Sequence, residues 1–107
     1  MTKLVIFART ASSFAARTRG LIGHKRLPPR TGIHLRPCWC VHTALMSVAI
    51  DIVFLNDRST VVKLVPAVLP WRIVSCNVAA SVLELASGEI DRLGIKPGDT
   101  ITLEEIT

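Results

Sequence analysis

The stretch CVHTALMSVAIDIVFLN, residues 40–56, contains the apolar run on which the fold prediction depends. Residues two apart share a face of an extended strand, so residues 48–55 can be divided into two sets. The sets are Ile50, Ile52 and Phe54 on one face and Ala49, Asp51, Val53 and Leu55 on the other. Both faces are apolar apart from Asp51, and the pattern therefore predicts a strand that is buried on both sides.

A second stretch, VLELASGEIDRLGIKPGDTI at residues 82–101, predicts a strand, a short helix and another strand in succession. Residues 81–86 form an apolar run, and the Ser87 hydroxyl that follows can cap a helix over residues 88–93. Gly94 suits a left-handed exit from that helix. The last predicted strand then covers residues 100–106.

The rest of the chain alternates short apolar runs with turn residues, as β proteins do. The further predicted strands are residues 3–9, 38–43, 60–65 and 71–76, with a hairpin turn at 56–59 and a connector bounded by Pro66 and Pro70. A helix is predicted from Phe14 onward, and the proline-rich residues 27–37 are expected to form a structureless, mobile loop. We therefore expect one mainly β domain over residues 1–107, a compact β-sandwich or barrel of six to seven short strands with one or two short helices.

The hydrophobic residues make up half of the 107-residue chain, but they are dispersed. The longest stretch without Asp, Glu, Lys or Arg is residues 37–50, about 14 residues, too short to cross roughly 30 Å of hydrocarbon. The apolar run at residues 4–8 is also shorter than the core of an export signal. We expect a cytoplasmic protein without a membrane span.

Charge is divided unevenly along the chain, which carries a net charge of +5. Residues 1–50 hold eight Lys and Arg and no carboxylate, whereas residues 51–107 hold all eight acids and five bases. Clustered bases indicate a nucleic-acid partner. The alternative is that the basic half and the acidic half neutralise each other within the fold, and we favour it because only Phe14 and Trp39 accompany the bases as aromatic residues.

The three cysteines cannot all pair within one chain, and we expect free thiols. On an extended strand Cys38, Cys40 and His42 would share a face, where a fourth ligand from His24, His34 or Cys76 would complete a zinc site. Side chains two apart stand roughly 6.5–7 Å from each other, which exceeds the roughly 3.8 Å between sulfurs on one zinc ion. A thiol nucleophile would need His24 or His34 as its base. The favoured interpretation is buried reduced cysteines, with no cofactor, no catalytic residue and no enzymatic activity.

Asp51 is the carboxylate with the most unusual setting, because burying it unpaired in an apolar strand is costly. Either it accepts hydrogen bonds from backbone amides or an arginine such as Arg19, or it lies at the floor of a pocket with a perturbed pKa. In the second case His42, Met46, Asp51 and Trp71 would converge on a small-molecule or peptide site framed by residues 27–37. Met46 and Trp71 are otherwise core residues.

Several short motifs resemble one family in their order along the chain. They are GLIG at 20–23, TGIHL at 31–35, IDIVFLN at 50–56, PW at 70–71, and VLELASG and LGIKPGD within residues 82–99. From about Arg17 to Leu103 the chain resembles the DUF192 family of domains of unknown function. The resemblance implies a compact mainly β domain and no assigned activity. Common members carry a Trp-Met-Lys-Asn-Thr run where this chain has Val41 to Met46, so a ligand does not transfer from that subgroup.

These observations predict a small binding or accessory protein that is not an enzyme. Its partner is expected to be a small molecule or another protein, with nucleic acid as the alternative through the basic first half and a metal or thiol site as a further one.

Overall fold

Eight strands and one short helix form the regular structure of the residues that the computed structural model describes, which are 4–11, 29–44 and 48–105. The strands are β1 (Leu4–Ala11), β2 (Thr31–Leu35), β3 (Cys40–His42), β4 (Ile50–Leu55), β5 (Val61–Val68), β6 (Ile73–Ser75), β7 (Ser81–Ala86) and β8 (Ile101–Glu105), and the helix is α1 (Glu89–Leu93). The mainly β class is as predicted, with one strand more than expected. The helix predicted from Phe14 lies outside the described residues. No helix within them is long and apolar enough to cross a membrane.

The large sheet contains six strands in the order β5-β4-β7-β2-β1-β8. Strand β1, next to the edge strand β8, runs parallel to both β2 and β8, and the other neighbours are antiparallel. An isolated bridge between Thr60 and Thr100 brings the two edges together at one end, but the sheet does not close into a barrel. With β3 and β6 forming a separate two-stranded sheet, the architecture is sandwich-like. The first-half strands β2 and β1 lie between the second-half strands β7 and β8 in the large sheet. A single domain over residues 1–107 stays a prediction.

Strand β4 is buried on both faces, as its two apolar sets predict. Ile50, Ile52 and Phe54 belong to one hydrophobic cluster, here called the first core, which includes Val41 of β3 and is packed by Val74 of β6. Val53 and Leu55 belong to the second core on the opposite face, which includes residues of β1, β7 and α1. The alternation in the sequence therefore distributes one strand between two cores.

The predicted mobile loop over residues 27–37 is wrong at its centre, because Thr31–Leu35 forms β2 in the interior of the large sheet. Ile33 and Leu35 contribute to the first core, and the flanking prolines lie outside the strand. Packing explains the glycine at position 32, because a Cβ there would lie 2.7 Å from the backbone oxygen of Glu84 on the neighbouring strand. A glycine that suggests a loop in the sequence thus permits close approach of two strands.

Strand β5 continues through Pro66 to Val68, so Pro66 does not bound a connector. The strand is at the edge of the large sheet, where a residue without an N–H is tolerated. Between the pairs Ile52–Val65 and Ile50–Val68 the register shifts, so that Pro66 and Ala67 lie opposite the single residue Asp51. This is a β-bulge, and Ala67 has a left-handed φ of 51° within it.

Candidate functional site

The small sheet of β3 and β6 covers the first core with its inner face. Val41 and Val74 are directly opposite each other and both pack in that core. Cys76 donates its backbone N–H to the Trp39 carbonyl at 2.8 Å and fixes the register at one end. Because side chains alternate along each strand, the outer face is formed by the two remaining pairs. These pairs are Cys40 with Ser75 and His42 with Ile73, and all four residues are exposed.

Both tryptophans of the chain lie beside this sheet and face solvent. Trp39 precedes β3 and is 57% exposed, and Trp71 lies two residues before β6 and is 71% exposed. Ile73 on the outer face is 76% exposed. Trp71 lies two residues from Ile73 at the Thr43 end of the small sheet, and Trp39 lies at the opposite end beside Cys76. Single exposed aliphatic residues are ordinary, but exposed indoles at both ends of one small sheet are of the kind that marks interaction surfaces. We call the outer face of the small sheet together with its two ends the tryptophan face, which comprises Cys40, His42, Ile73 and Ser75 on the outer face and Trp39 and Trp71 at the ends.

The backbone at Trp71 is held in an unfavourable conformation. Its φ is 66°, in the left-handed region that bulky residues rarely adopt. The Trp71 N–H donates to the Thr43 carbonyl at 3.0 Å, and the buried Thr43 hydroxyl donates to the Leu69 carbonyl at 2.7 Å while it accepts the Arg72 N–H at 2.8 Å. Thr43 therefore fixes the segment that presents Trp71.

The structure brings together two of the four residues predicted to converge on a pocket. His42 immediately precedes Thr43, to which Trp71 is hydrogen-bonded, so both lie at one end of the small sheet. Met46 lies outside the described residues. Asp51 belongs to the face of β4 that packs toward α1, opposite to the face that the small sheet covers. Residues 31–35, predicted to frame the pocket as a loop, form β2.

Asp51 is fully buried and accepts three backbone hydrogen bonds, as one of its two predicted roles requires. Its Oδ1 accepts the N–H of Ala67 in the bulge at 2.8 Å, and its Oδ2 accepts those of Gly88 at 3.1 Å and Ile90 at 2.8 Å. The last two groups lie at the start of α1, whose N-cap residue is Gly88 with no side-chain capping bond. The predicted cap by Ser87 is therefore wrong, because Asp51 from β4 supplies the acceptor that the helix start needs. The predicted exit at Gly94 is confirmed by its left-handed φ of 66°.

The predicted alignment of three metal-ligating side chains on one strand face is wrong. Cys40 and His42 are exposed on β3, whereas Cys38 precedes the strand, is buried in the first core and donates its thiol to the Cys40 carbonyl at 3.2 Å. Among residues 4–11, 29–44 and 48–105 no three His, Cys, Asp or Glu side chains cluster as metal ligands would. The three cysteines are free, as predicted, but the predicted burial is correct only for Cys38, because Cys40 is exposed and Cys76 is partly buried.

Glu84 is a buried carboxyl that the sequence interpretation does not single out. It is 4% exposed on the central strand β7, between its cross-strand neighbours Ile33 and Ile52, both first-core residues. Burial raises the pKa of this carboxyl to about 8, so it is largely protonated at neutral pH. The sequence contains the same signal for Glu84 as for Asp51, because Glu84 is a single acid within an apolar strand, between Leu83 and Leu85.

A second polar group sits at the far end of β2. His34 is buried, and within the described residues its Nε2 has no hydrogen-bond partner. Burial and then the nearby Arg36 guanidinium lower the pKa of this imidazole, while Glu105 acts in the opposite direction. Glu105 itself accepts the hydroxyl and the N–H of Thr10, and these bonds lower the pKa of its carboxyl. Thr10, His34 and Glu105 lie at the carboxyl ends of the parallel strands β1, β2 and β8, respectively.

Comparisons with known proteins agree with the fold and assign no activity. The family model DUF192, described as an uncharacterized ACR, matches residues 1–103. A candidate transcription regulator from Sinorhizobium meliloti 1021 is similar in structure, with a TM-score of 0.78 at 23% identity over 87% of this chain and 78% of that one. A protein of unknown function from Novosphingobium aromaticivorans has a TM-score of 0.77 at 24% identity over 87% of this chain and 71% of that one. No curated protein matches the sequence.

Proposed function

We propose that this chain, which belongs to the DUF192 family, is a binding module that binds its partner through the tryptophan face. The family has no assigned activity, so the proposal rests on the geometry of the small sheet. The observation that carries this proposal is the exposure of Trp39 and Trp71 on a hydrogen-bonded support. Tryptophan is the residue most enriched among those that dominate binding energy at interfaces. His42 and Trp71, two of the predicted site residues, then belong to the binding surface.

The conformation of Trp71 supports a role that folding alone does not explain. A left-handed φ costs a bulky residue of order 1 kcal/mol or more, and glycine would adopt it without strain. An exposed side chain recovers little of that cost through burial. Residues that lower the stability of the fold are typical of binding sites.

Asp51 has a supporting part in this proposal. Its carboxylate connects β4 to the bulge at Ala67, and the chain continues from there through Val68 and Leu69 to Trp71. The carboxylate thereby holds the last residues of β5 at the point from which the tryptophan segment leaves the large sheet.

We place this module in the cytoplasm and treat residues 1–107 as one domain. The three free thiols support the first assignment, because reduced cysteines are normal there. The position of β2 and β1 between β7 and β8 in one sheet supports the second.

The proposal is tested by selecting ligands for the immobilised protein from a random 12-residue peptide library and from a random single-stranded DNA pool. Binding of the selected ligands should change the intrinsic fluorescence, which arises from Trp39 and Trp71 alone. Trp71→Gly should weaken their binding at least about tenfold, as expected for a hot-spot residue. The same variant should unfold within about 0.5 kcal/mol of wild type, because relief of the left-handed strain offsets the added chain entropy.

A matched control is Phe7→Ala, which removes another exposed aromatic side chain, 47% exposed on β1. It should leave the selected ligands bound. If ligands from both pools bind Trp71→Gly and Trp39→Ala as tightly as wild type, the tryptophan face is not the binding surface.

A further inference from the structure

From the charge around the tryptophan face we infer that its partner is single-stranded nucleic acid, whose bases stack on Trp39 and Trp71 while Arg36, Lys63 and Arg72 contact the phosphates. This inference rests on the proposed function, because it names the class of partner for the same surface.

The segments that build the face contain bases but no acid. Residues 36–44 and 58–83 have no Asp or Glu, although the chain has eight such residues in all. Arg36 lies two residues before Cys38, Arg72 follows Trp71, and the Lys63 ammonium donates to the Ser75 carbonyl of β6 at 2.8 Å. Arg36, Lys63 and Arg72 are all exposed. The surface is therefore complementary to an anionic partner.

The acids of the described residues are either buried or carried by other elements. Asp51, Glu84 and Glu89 are buried. The remaining acids are Asp57 in the turn between β4 and β5, Asp91 on α1, Asp99 in the turn before β8, and Glu104 and Glu105 on β8. The α1 helix lies on the second core, across the large sheet from the small one, whereas the turn before β8 is hydrogen-bonded to the start of β5, where the Val61 N–H donates to the Asp99 carbonyl at 2.8 Å. Asp91 is thus separated from the small sheet by the large one, whereas Glu105 shares the neighbourhood of His34 with Arg36.

Exposed indoles select nucleic acid over an acidic peptide. Proteins that bind single strands combine a basic surface with aromatic side chains on which successive bases stack, and every base offers a face for this contact. A duplex hides those faces within its own stack, so the single strand is the form that uses the tryptophans. The amides of β3 and β6 are paired with each other at the Val41–Val74 position, which leaves the side chains of the outer face to make the contacts.

The test uses fluorescein-labelled oligo(dT) of twelve nucleotides, an unlabelled duplex of the same length, and a twelve-residue poly-glutamate peptide. Fluorescence anisotropy should show that the full-length protein binds the single strand at 50 mM NaCl. Three phosphate contacts predict that affinity falls about 20-fold on going to 200 mM NaCl. Trp71→Gly and Trp39→Ala should each weaken binding at least about fivefold by loss of one stacked base.

Arg72→Ala should weaken binding and reduce the slope of log affinity against log salt by about 0.7. Lys96→Ala is the matched control, because it removes an exposed base from the turn before β8 and should change neither quantity.

Two results would overturn the inference. If poly-glutamate binds with dependence on Trp71 and oligo(dT) does not bind, the nucleic-acid assignment fails and the proposed binding face stands. If oligo(dT) binds equally to wild type, Trp71→Gly and Arg72→Ala, nucleic acid binds elsewhere, and the inference fails together with its surface. Displacement by the duplex as effective as by unlabelled oligo(dT) would also contradict stacking on the indoles.

Discussion

Glu84 provides the sharpest test of how this fold is stabilised, because a protonated carboxyl in the first core makes stability depend on pH. We predict that wild type loses stability as the pH rises from 5 to 8.5, and that Glu84→Gln removes this loss. Glutamine has nearly the shape of the protonated acid but cannot ionise. The comparison therefore isolates the charge from the packing of the side chain between Ile33 and Ile52.

The magnitude follows from the two pKa values of this carboxyl. It is near 4.5 in the unfolded chain and about 8 in the folded protein. Between these pH values the folded state holds a proton that the unfolded state has released, so the free energy of unfolding falls with rising pH. One pKa unit corresponds to about 1.4 kcal/mol, and the full difference therefore corresponds to about 5 kcal/mol. Between pH 5 and 7.5 the expected loss is about 3 kcal/mol, a large part of the stability of an ordinary domain.

The assay is urea denaturation of both proteins at half-unit pH intervals, followed by far-UV circular dichroism. Intrinsic fluorescence is unsuitable, because both tryptophans are already exposed in the folded state. His34 has a lowered pKa and acts with the opposite sign, since its unfolded form takes up a proton below about 6.5 and stability then falls as the pH falls. This contribution is present in both proteins and cancels in their difference. Equal pH slopes for wild type and Glu84→Gln would refute the reasoning, as would a less stable Glu84→Gln at pH 8.5.

Three further predictions concern single side chains. Asp51→Ala should lower the free energy of unfolding by about 3–5 kcal/mol, because three amides lose their acceptor. Asp57→Ala, in an exposed turn, should change the free energy of unfolding by no more than about 0.5 kcal/mol, and equal urea midpoints for the two variants would contradict this prediction. Gly32→Ala should cost about 1–3 kcal/mol, since its Cβ would meet a backbone oxygen at 2.7 Å, and an unchanged melting temperature would show that the strands can move apart. A maleimide reagent followed by peptide mass spectrometry should label Cys40 first and Cys38 last, and the reverse order would show that the small sheet opens.

The parts of the fold that the sequence predicts are those with strong local periodicity. Strands β4 and β7 lie in apolar runs that each contain a single acid, and the alternation in β4 assigns its apolar residues correctly to the two cores. Strand β2 is missed because its five residues include Gly32 and follow two prolines, which are loop signals when only neighbours in sequence are considered. The reason for Gly32 is the Glu84 carbonyl of β7, and strand pairing over that separation is not contained in a local pattern.

The candidate site shows the same limit in a different form. The sequence identifies Asp51 as a buried carboxylate that needs partners, and backbone amides are among the partners that it predicts. It cannot identify which amides, because those of Gly88 and Ile90 become donors only when α1 begins beside β4. Glu84 has the same sequence signal and the opposite outcome, since its side chain faces the first core, where its neighbours are aliphatic. The amides of the bulge and of the start of α1 lie on the face that Asp51 occupies, and Glu84 lies on the other face.

The strand topology decides where the basic and acidic residues of the two halves lie in the fold. Sequence order alone favours neutralisation between a basic half and an acidic half, yet the ion pair found among the described residues joins Glu89 to Arg92, both from the second half. The acid-free segments around β3 and β6 come from different halves of the chain and are brought together by strand pairing. Trp39 and Trp71, 32 positions apart, arrive at one small sheet by the same pairing. A basic aromatic surface is therefore assembled from residues whose sequence context gives no indication that they are neighbours, and the affinity of Trp71→Gly and Arg72→Ala for oligo(dT) determines whether nucleic acid uses it.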